Sequence, residues 1–154
     1  MTAPLTPATT GETVFVASRL FGPLTVPRED ILCMPEGMLG FAGERRFVLL
    51  PAAPDGVFWL QSVDDGSLIF LLVDPFPFFA GYEADIPDIP ETVAPGDVAV
   101  MVIVTLPRQP GEDCTCNLQA PLVVQLPTRT ARQVILQDPR YHTRHPINLR
   151  DKLR

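Results

Sequence analysis

The chain has 154 residues, 46% of them hydrophobic, with three Cys, one Trp and a formal net charge of −6. This suits one domain with a sizeable core and excludes disorder over most of the length. No run reaches the roughly 18 apolar residues needed to cross a bilayer, and an odd number of Cys argues against a disulfide framework and fits a reducing cytoplasm.

Eighteen Pro, spread along the chain, cut it into short elements. Residues 1–11 are small, Thr/Pro-rich and uncharged, so a disordered extension is expected there. That stretch lacks the basic and apolar regions of a secretory signal. Thr13–Ala17 reads as a strand, Gly22-Pro23 as a turn and Leu24–Val26 as the return strand. Ile31–Met34 is another, closed by the turn signal Pro35-Glu36-Gly37. Met38-Leu39-Gly40-Phe41 is an apolar loop, and Phe47–Leu50 a strand that stops at Pro51.

The stretch Val57–Tyr82, VFWLQSVDDGSLIFLLVDPFPFFAGY, holds five of the nine Phe and the only Trp. Val57–Val63 and Ser67–Val73 are rich in β-branched and aromatic residues, and Asp64-Asp65-Gly66 between them predicts a hairpin with Gly66 at positive φ. Phe58 and Trp59 point to opposite faces, so one is expected in the core and the other outward or under a loop. Asp74-Pro75-Phe76-Pro77-Phe78-Phe79 follows, too Pro-rich for a strand yet strongly apolar. It caps a core or forms a contact surface.

Glu83–Asp97 mixes acids and prolines, with at most a turn or two of helix near Glu91–Ala94. Val98–Leu106 is continuously apolar and β-branched, as in a strand buried on both faces or at a barrel seam. Cys116–Ala120, Leu122–Leu126 and Ala131–Leu136 are further strands, with a turn at Leu126-Pro127-Thr128-Arg129. The segment from Asp138 to Arg154 reads as basic and mostly irregular. About ten short strands with Gly/Pro/Asp turns and little helix predict an all-β, antiparallel pseudo-barrel or sandwich. Residues 12–147 read as one β domain and 148–154 as a basic tail.

Charge is distributed unevenly. Between Arg46 and Arg108 there is no Lys or Arg, but there are nine carboxylates, whereas Thr128–Arg154 carries a net of +5. An acidic centre repels nucleic acid and attracts a basic partner. Catalytic patterns are absent: no G-x-S-x-G, P-loop or G-x-G-x-x-G occurs. Cys114-Thr115-Cys116 has the wrong spacing for a zinc knuckle, and His142 and His145 lie in the basic segment without a clear third ligand. The residues ask for no enzyme, cofactor or metal. They point to a protein-binding surface, with candidate contacts at Asp64, Asp65, Phe76, Phe78, Phe79, Tyr82, Glu83 and Asp85.

Several blocks stand in order along the chain: Pro35-Glu36-Gly37, Gly40-Phe41, Phe58-Trp59-Leu60-Gln61-Ser62, Asp74-Pro75-Phe76 through Tyr82-Glu83, and Val100–Thr105. Asn117 through Val124, Arg132–Leu136, Tyr141 and Arg144-His145-Pro146 continue them, over about residues 13–147. Together these blocks resemble the FliW family of flagellar assembly factors. The resemblance implies a small cytoplasmic all-β protein that binds the translational repressor CsrA and antagonises it non-competitively. It also implies binding to flagellin, which would titrate the protein away from CsrA. Neither membrane nor direct nucleic-acid binding is expected. The alternative is a small all-β ligand carrier whose aromatics line an internal cavity.

Overall fold

Short apolar runs punctuated by Pro and Gly bury their surface by pairing side by side, and the sheet then closes to hide its edges. The computed structural model describes residues 12–52, 55–87 and 93–149. Eleven strands lie among them: β1 (Thr13–Ser18), β2 (Gly22–Pro27), β3 (Ile31–Cys33), β4 (Arg46–Pro51), β5 (Val57–Ser62) and β6 (Ile69–Val73), then β7 (Val98–Thr105), β8 (Cys114–Cys116), β9 (Leu122–Gln125), β10 (Thr130–Gln133) and β11 (His145–Ile147). Helix among the described residues takes only the 3₁₀ form, as at Arg28–Asp30 and Pro95–Asp97. None is long and apolar enough to cross a membrane.

The strands β7-β6-β5-β4-β3-β10-β9 pair in that order, and β9 returns to pair with β7, closing a seven-stranded ring. The long β7 makes closure possible: Val98–Met101 face β9, while Val102–Val104 face β6. β8 and β11 extend the sheet beyond β7, and β1–β2 form a separate hairpin. The architecture is the expected pseudo-barrel, with one difference. β3 and β10 run parallel and meet at a single pair, Thr130 and Cys33. Arg129, at φ 53°, sets this seam: its carbonyl accepts from the Cys33 N–H at 2.8 Å, and its guanidinium reaches the Glu29 carbonyl at 3.2 Å.

Three apolar clusters follow from strand alternation. The ring interior is filled by Leu32, Met34, Phe47, Leu60, Leu72, Leu122 and Val124, with Phe58 packed against them. The β1–β2 hairpin covers one outer face, seating Val16 and Val26 on Val48 and Val63. On the other, Val57, Leu71, Val73, Val102 and Val104 are covered by Tyr82, Leu118, Tyr141 and Ile147. Trp59 packs against this outer cluster, so Phe58 and Trp59 do take opposite faces.

Gly66 is required, but for a different reason than predicted. The β5–β6 connection is longer than a three-residue loop, since the last strand pair is Gln61 with Ile69. Gly66 is not among the residues at positive φ. A Cβ there would lie 1.7 Å from the Ala17 carbonyl oxygen, so close approach to β1 is what excludes a side chain. Three other strand expectations shift, and the first is Ala131–Leu136, whose strand β10 stops at Gln133. The predicted strand Cys116–Ala120 instead ends at Cys116, because the Asn117 Oδ1 accepts from the Gln119 and Ala120 N–H groups and turns the chain. β11 lies in the segment expected to be irregular; it is short and contains Pro146, tolerated because β11 sits at a sheet edge.

Candidate protein-binding surface

The eight candidate contact residues fall at the two ends of the β5–β6 hairpin. Five residue pairs separate these ends, roughly 15 Å of strand. At the loop end Asp64 accepts a two-pronged bond from Arg46, with Nη2 to Oδ1 at 2.5 Å and Nε to Oδ2 at 3.2 Å. That hydrogen bond holds the Asp64 carboxyl below its ordinary range. Asp65 caps the loop: its Oδ1 accepts from the Ser67 hydroxyl at 2.7 Å and the Ser67 N–H at 3.0 Å, which lowers its pKa too. Both carboxylates are therefore engaged within the chain.

At the far end the Pro-interrupted segment is ordered by its own backbone. The Phe78 and Phe79 N–H groups both donate to the Pro75 carbonyl at 3.0 Å, and the Phe76 N–H donates to Asp74 Oδ1 at 3.1 Å. These turns send the aromatics different ways. Phe78 and Phe79 are half-buried against the outer cluster, whereas Phe76 is 48% exposed. Tyr82 is a core residue: it is 6% exposed, its hydroxyl donates to the Leu118 carbonyl at 2.7 Å, and its ring meets Tyr141 edge-on at 4.8 Å. Burial raises the Tyr82 phenol above its ordinary value. Phe76 rests on Tyr82, ring centres 5.8 Å apart, so the exposed ring stands on a buried aromatic stack.

Glu83 and Asp85 are exposed beside this stack. The Glu83 N–H donates to the Tyr141 hydroxyl at 2.9 Å. The stretch free of Lys and Arg in sequence is not free of them in space. Arg140 binds Asp138, Nη2 to Oδ2 at 2.6 Å, lies 3.5 Å from Glu83 Oε1, and stacks 5.1 Å over the Tyr141 ring. The Arg132 guanidinium donates to the Pro87 carbonyl. A groove of about 370 Å³ opens between Glu83, Asp85 and Pro87 on one wall and Ile135–Asp138 and Arg140 on the other. Ile135, 53% exposed, and the two arginines belong to this surface, yet sequence reasoning did not single them out. Only the strand-like alternation of Val134, Ile135 and Leu136 hinted that Ile135 points outward.

The described residues contain no group of three or more His, Cys, Asp or Glu able to hold a metal ion. Cys116 is buried, which pushes its thiol up to about 12, so it is no nucleophile near neutral pH. His142 and His145 stack at 3.7 Å, and the His145 Nε2 accepts from the His142 N–H at 3.0 Å. Burial first, then the neighbouring His142, lowers the His145 pKa from 6.5. With the folded value depressed, the unfolded chain binds more protons in that window. The stability His145 contributes is complete above about pH 6.5 and is lost as pH falls through its folded value. Acidification from pH 7.5 to 5 should lower Tm through this site, and His145→Gln should flatten the slope. Equal slopes in both proteins would reject the assignment.

A family model described as FliW protein matches residues 15–147. The flagellar assembly factor FliW of Geobacillus thermodenitrificans is 37% identical over 136 residues, covering 86% of this chain and 94% of that protein. Its counterpart in Bacillus subtilis is 37% identical over 139 residues, 87% of this chain and 96% of that protein. That of Treponema denticola is 34% identical over 136 residues, covering 86% and 92%. A crystal structure of the flagellar assembly factor FliW superposes with a TM-score of 0.76 at 36% identity, covering 86% of this chain and 95% of that one.

Proposed function

The chain belongs to the FliW family of flagellar assembly factors, and from that membership we propose that it binds the repressor CsrA and flagellin in the cytoplasm. Bound to CsrA it antagonises the repressor without competing for the RNA site. Rising free flagellin would draw it away and let CsrA return to its messenger. The observation that carries a protein-binding reading is Phe76, a half-exposed ring held on the buried Tyr82–Tyr141 stack beside Glu83 and Asp85. An immobilised aromatic gives up little conformational freedom on binding, which is the property of an interface anchor. The ligand-carrier alternative needs an internal cavity, and the ring interior among the described residues is instead occupied by Leu32, Phe47, Leu60, Leu72 and Leu122.

The test is retention of purified CsrA and of flagellin by the immobilised protein, with and without competing RNA. Retention of CsrA that RNA leaves unchanged supports the reading, and failure to retain either protein overturns it. Phe76→Ala should weaken one of the two complexes by about 1–2 kcal/mol, roughly 5- to 30-fold, while its Tm moves little. Because a repressor that holds RNA carries basic surface, CsrA affinity should also fall as salt rises from 50 to 500 mM. The fall should be moderate, since Arg46 and Arg140 already offset Asp64 and Asp138. An affinity indifferent to salt would remove electrostatic steering from the account.

A further inference from the structure

The groove beside Phe76 has the form of a slot for one more strand. Its first wall is the run 83–87, in which Ala84 and Ile86 pack against the outer cluster while Glu83, Asp85 and Pro87 are exposed. The second wall alternates in the same way: Val134 and Leu136 are 7% and 5% exposed and Ile135 between them 53%. The Val134 and Leu136 N–H groups donate to the Pro121 and Gln119 carbonyls at 3.0 and 2.7 Å, so that edge of the wall is paired. In extended chain the N–H groups of Ile135 and Gln137 point to the opposite edge, toward the groove. Among the described residues neither has a hydrogen-bond partner. The walls are bridged at each end by arginine, Arg132 to the Pro87 carbonyl and Arg140 to Glu83. Among the described residues, the backbone edge between these two arginines is unpaired.

We propose that this slot takes an extended polypeptide segment of the protein partner, paired to the backbone of Ile135 and Gln137, with a Lys or Arg directed at Asp85. Backbone pairing supplies register and Ile135 an apolar contact, as when a peptide adds a strand to an open sheet edge. The charge preference comes from Asp85, which has no ion pair among the described residues, whereas Asp138 is matched by Arg140. Asp85 and Glu83 face the same opening, so a basic side chain is favoured there and an acidic one repelled. The assignment rests on the protein-binding reading above and adds to it the chemistry of the segment recognised.

The probe is the capped peptide Val-Lys-Val-Lys-Val, compared with Val-Glu-Val-Glu-Val, titrated into the full chain and followed by amide exchange at Ile135 and Gln137. The Lys peptide is expected to slow exchange at both amides at least tenfold, and the Glu peptide to bind at least tenfold more weakly. Ile135→Pro removes one of the two free donors at an edge where Pro is tolerated. It should cut affinity for the Lys peptide at least tenfold, and Asp85→Lys should cut it at least threefold. Equal binding of the two peptides, or protection elsewhere than at these amides, overturns the slot without requiring any variant to fold. Failure of the slot is distinct from failure of the partner reading. In the first case wild type and Ile135→Pro retain CsrA and flagellin equally. In the second, wild type retains neither protein while still binding the Lys peptide.

Discussion

Gly66→Ala is expected to lower Tm by roughly 6–12 °C, the equivalent of about 3 kcal/mol for a chain of this size. The added methyl would sit 1.7 Å from the Ala17 carbonyl oxygen and 2.8 Å from its carbon. Both are backbone atoms, so no side-chain rotation relieves the clash and the end of β1 must move. Three bonds depend on that end staying in place. The Arg19 N–H donates to the Gly66 carbonyl at 2.8 Å, the Ser18 hydroxyl to Gln61 Oε1 at 2.8 Å, and Gln61 Nε2 to the Gly66 carbonyl at 3.3 Å. Gln61 and Ser18 are buried, so their groups would lose partners away from water, at about 1–3 kcal/mol each if left unpaired. Displacing β1 also loosens Val16 and Val26 over Val48 and Val63. The chain's single tryptophan offers a local readout: Phe21, in the β1–β2 turn, meets Trp59 edge-on at 6.3 Å. Its emission should shift to the red in the variant. Gly96→Ala serves as control, since a Cβ there meets nothing within 4 Å and its φ is not positive. A Gly66→Ala protein as stable as the Gly96→Ala control would refute the close-approach argument.

Tyr82→Ala is expected to be comparably severe, about 3–5 kcal/mol, because it empties a buried aromatic site and strands the Leu118 carbonyl. Tyr82→Phe isolates the hydrogen bond and should cost about 1–2 kcal/mol. The informative comparison is with Phe76→Ala. If Tyr82 supports the surface from below, Tyr82→Phe lowers Tm and leaves partner affinity within about twofold, while Phe76→Ala does the reverse. Chemical denaturation and a binding titration on both proteins decide it. A Tyr82→Phe protein of unchanged stability but weakened affinity would make Tyr82 itself a contact.

The local patterns were readable because each rests on near neighbours in the chain. Alternation placed Phe58 and Trp59 on opposite faces, and the β-branched run from Val98 to Leu106 marked the strand that closes the ring. What depended on distant pairing was not readable. No local signal announces that β3 meets β10 in parallel, nor that Arg132 and Arg140 lie against the acidic stretch from which they are absent in sequence. Gly66 shows the same division. Its identity was interpretable as a turn residue, but the atom that demands it belongs to Ala17, far along the chain. The candidate surface was legible as an aromatic and acidic region. Which aromatic is exposed was settled by the turn at Pro75 and by the Leu118 carbonyl that draws Tyr82 inward.

The ring's β3–β10 seam bears on the order in which the chain acquires its structure. The β4–β5–β6 strands are joined by short connections and can zip as soon as they are made, whereas the contact between Arg129 and Glu29 spans 100 positions. Closing so long a loop costs entropy before any packing is regained, which makes such contacts late and slow. Until β9 and β10 emerge during synthesis, Leu32, Phe47, Leu60 and Leu72 lack the strands that complete their enclosure. A partly made chain would therefore expose an apolar trough, and refolding should show its slowest phase in probes of the seam.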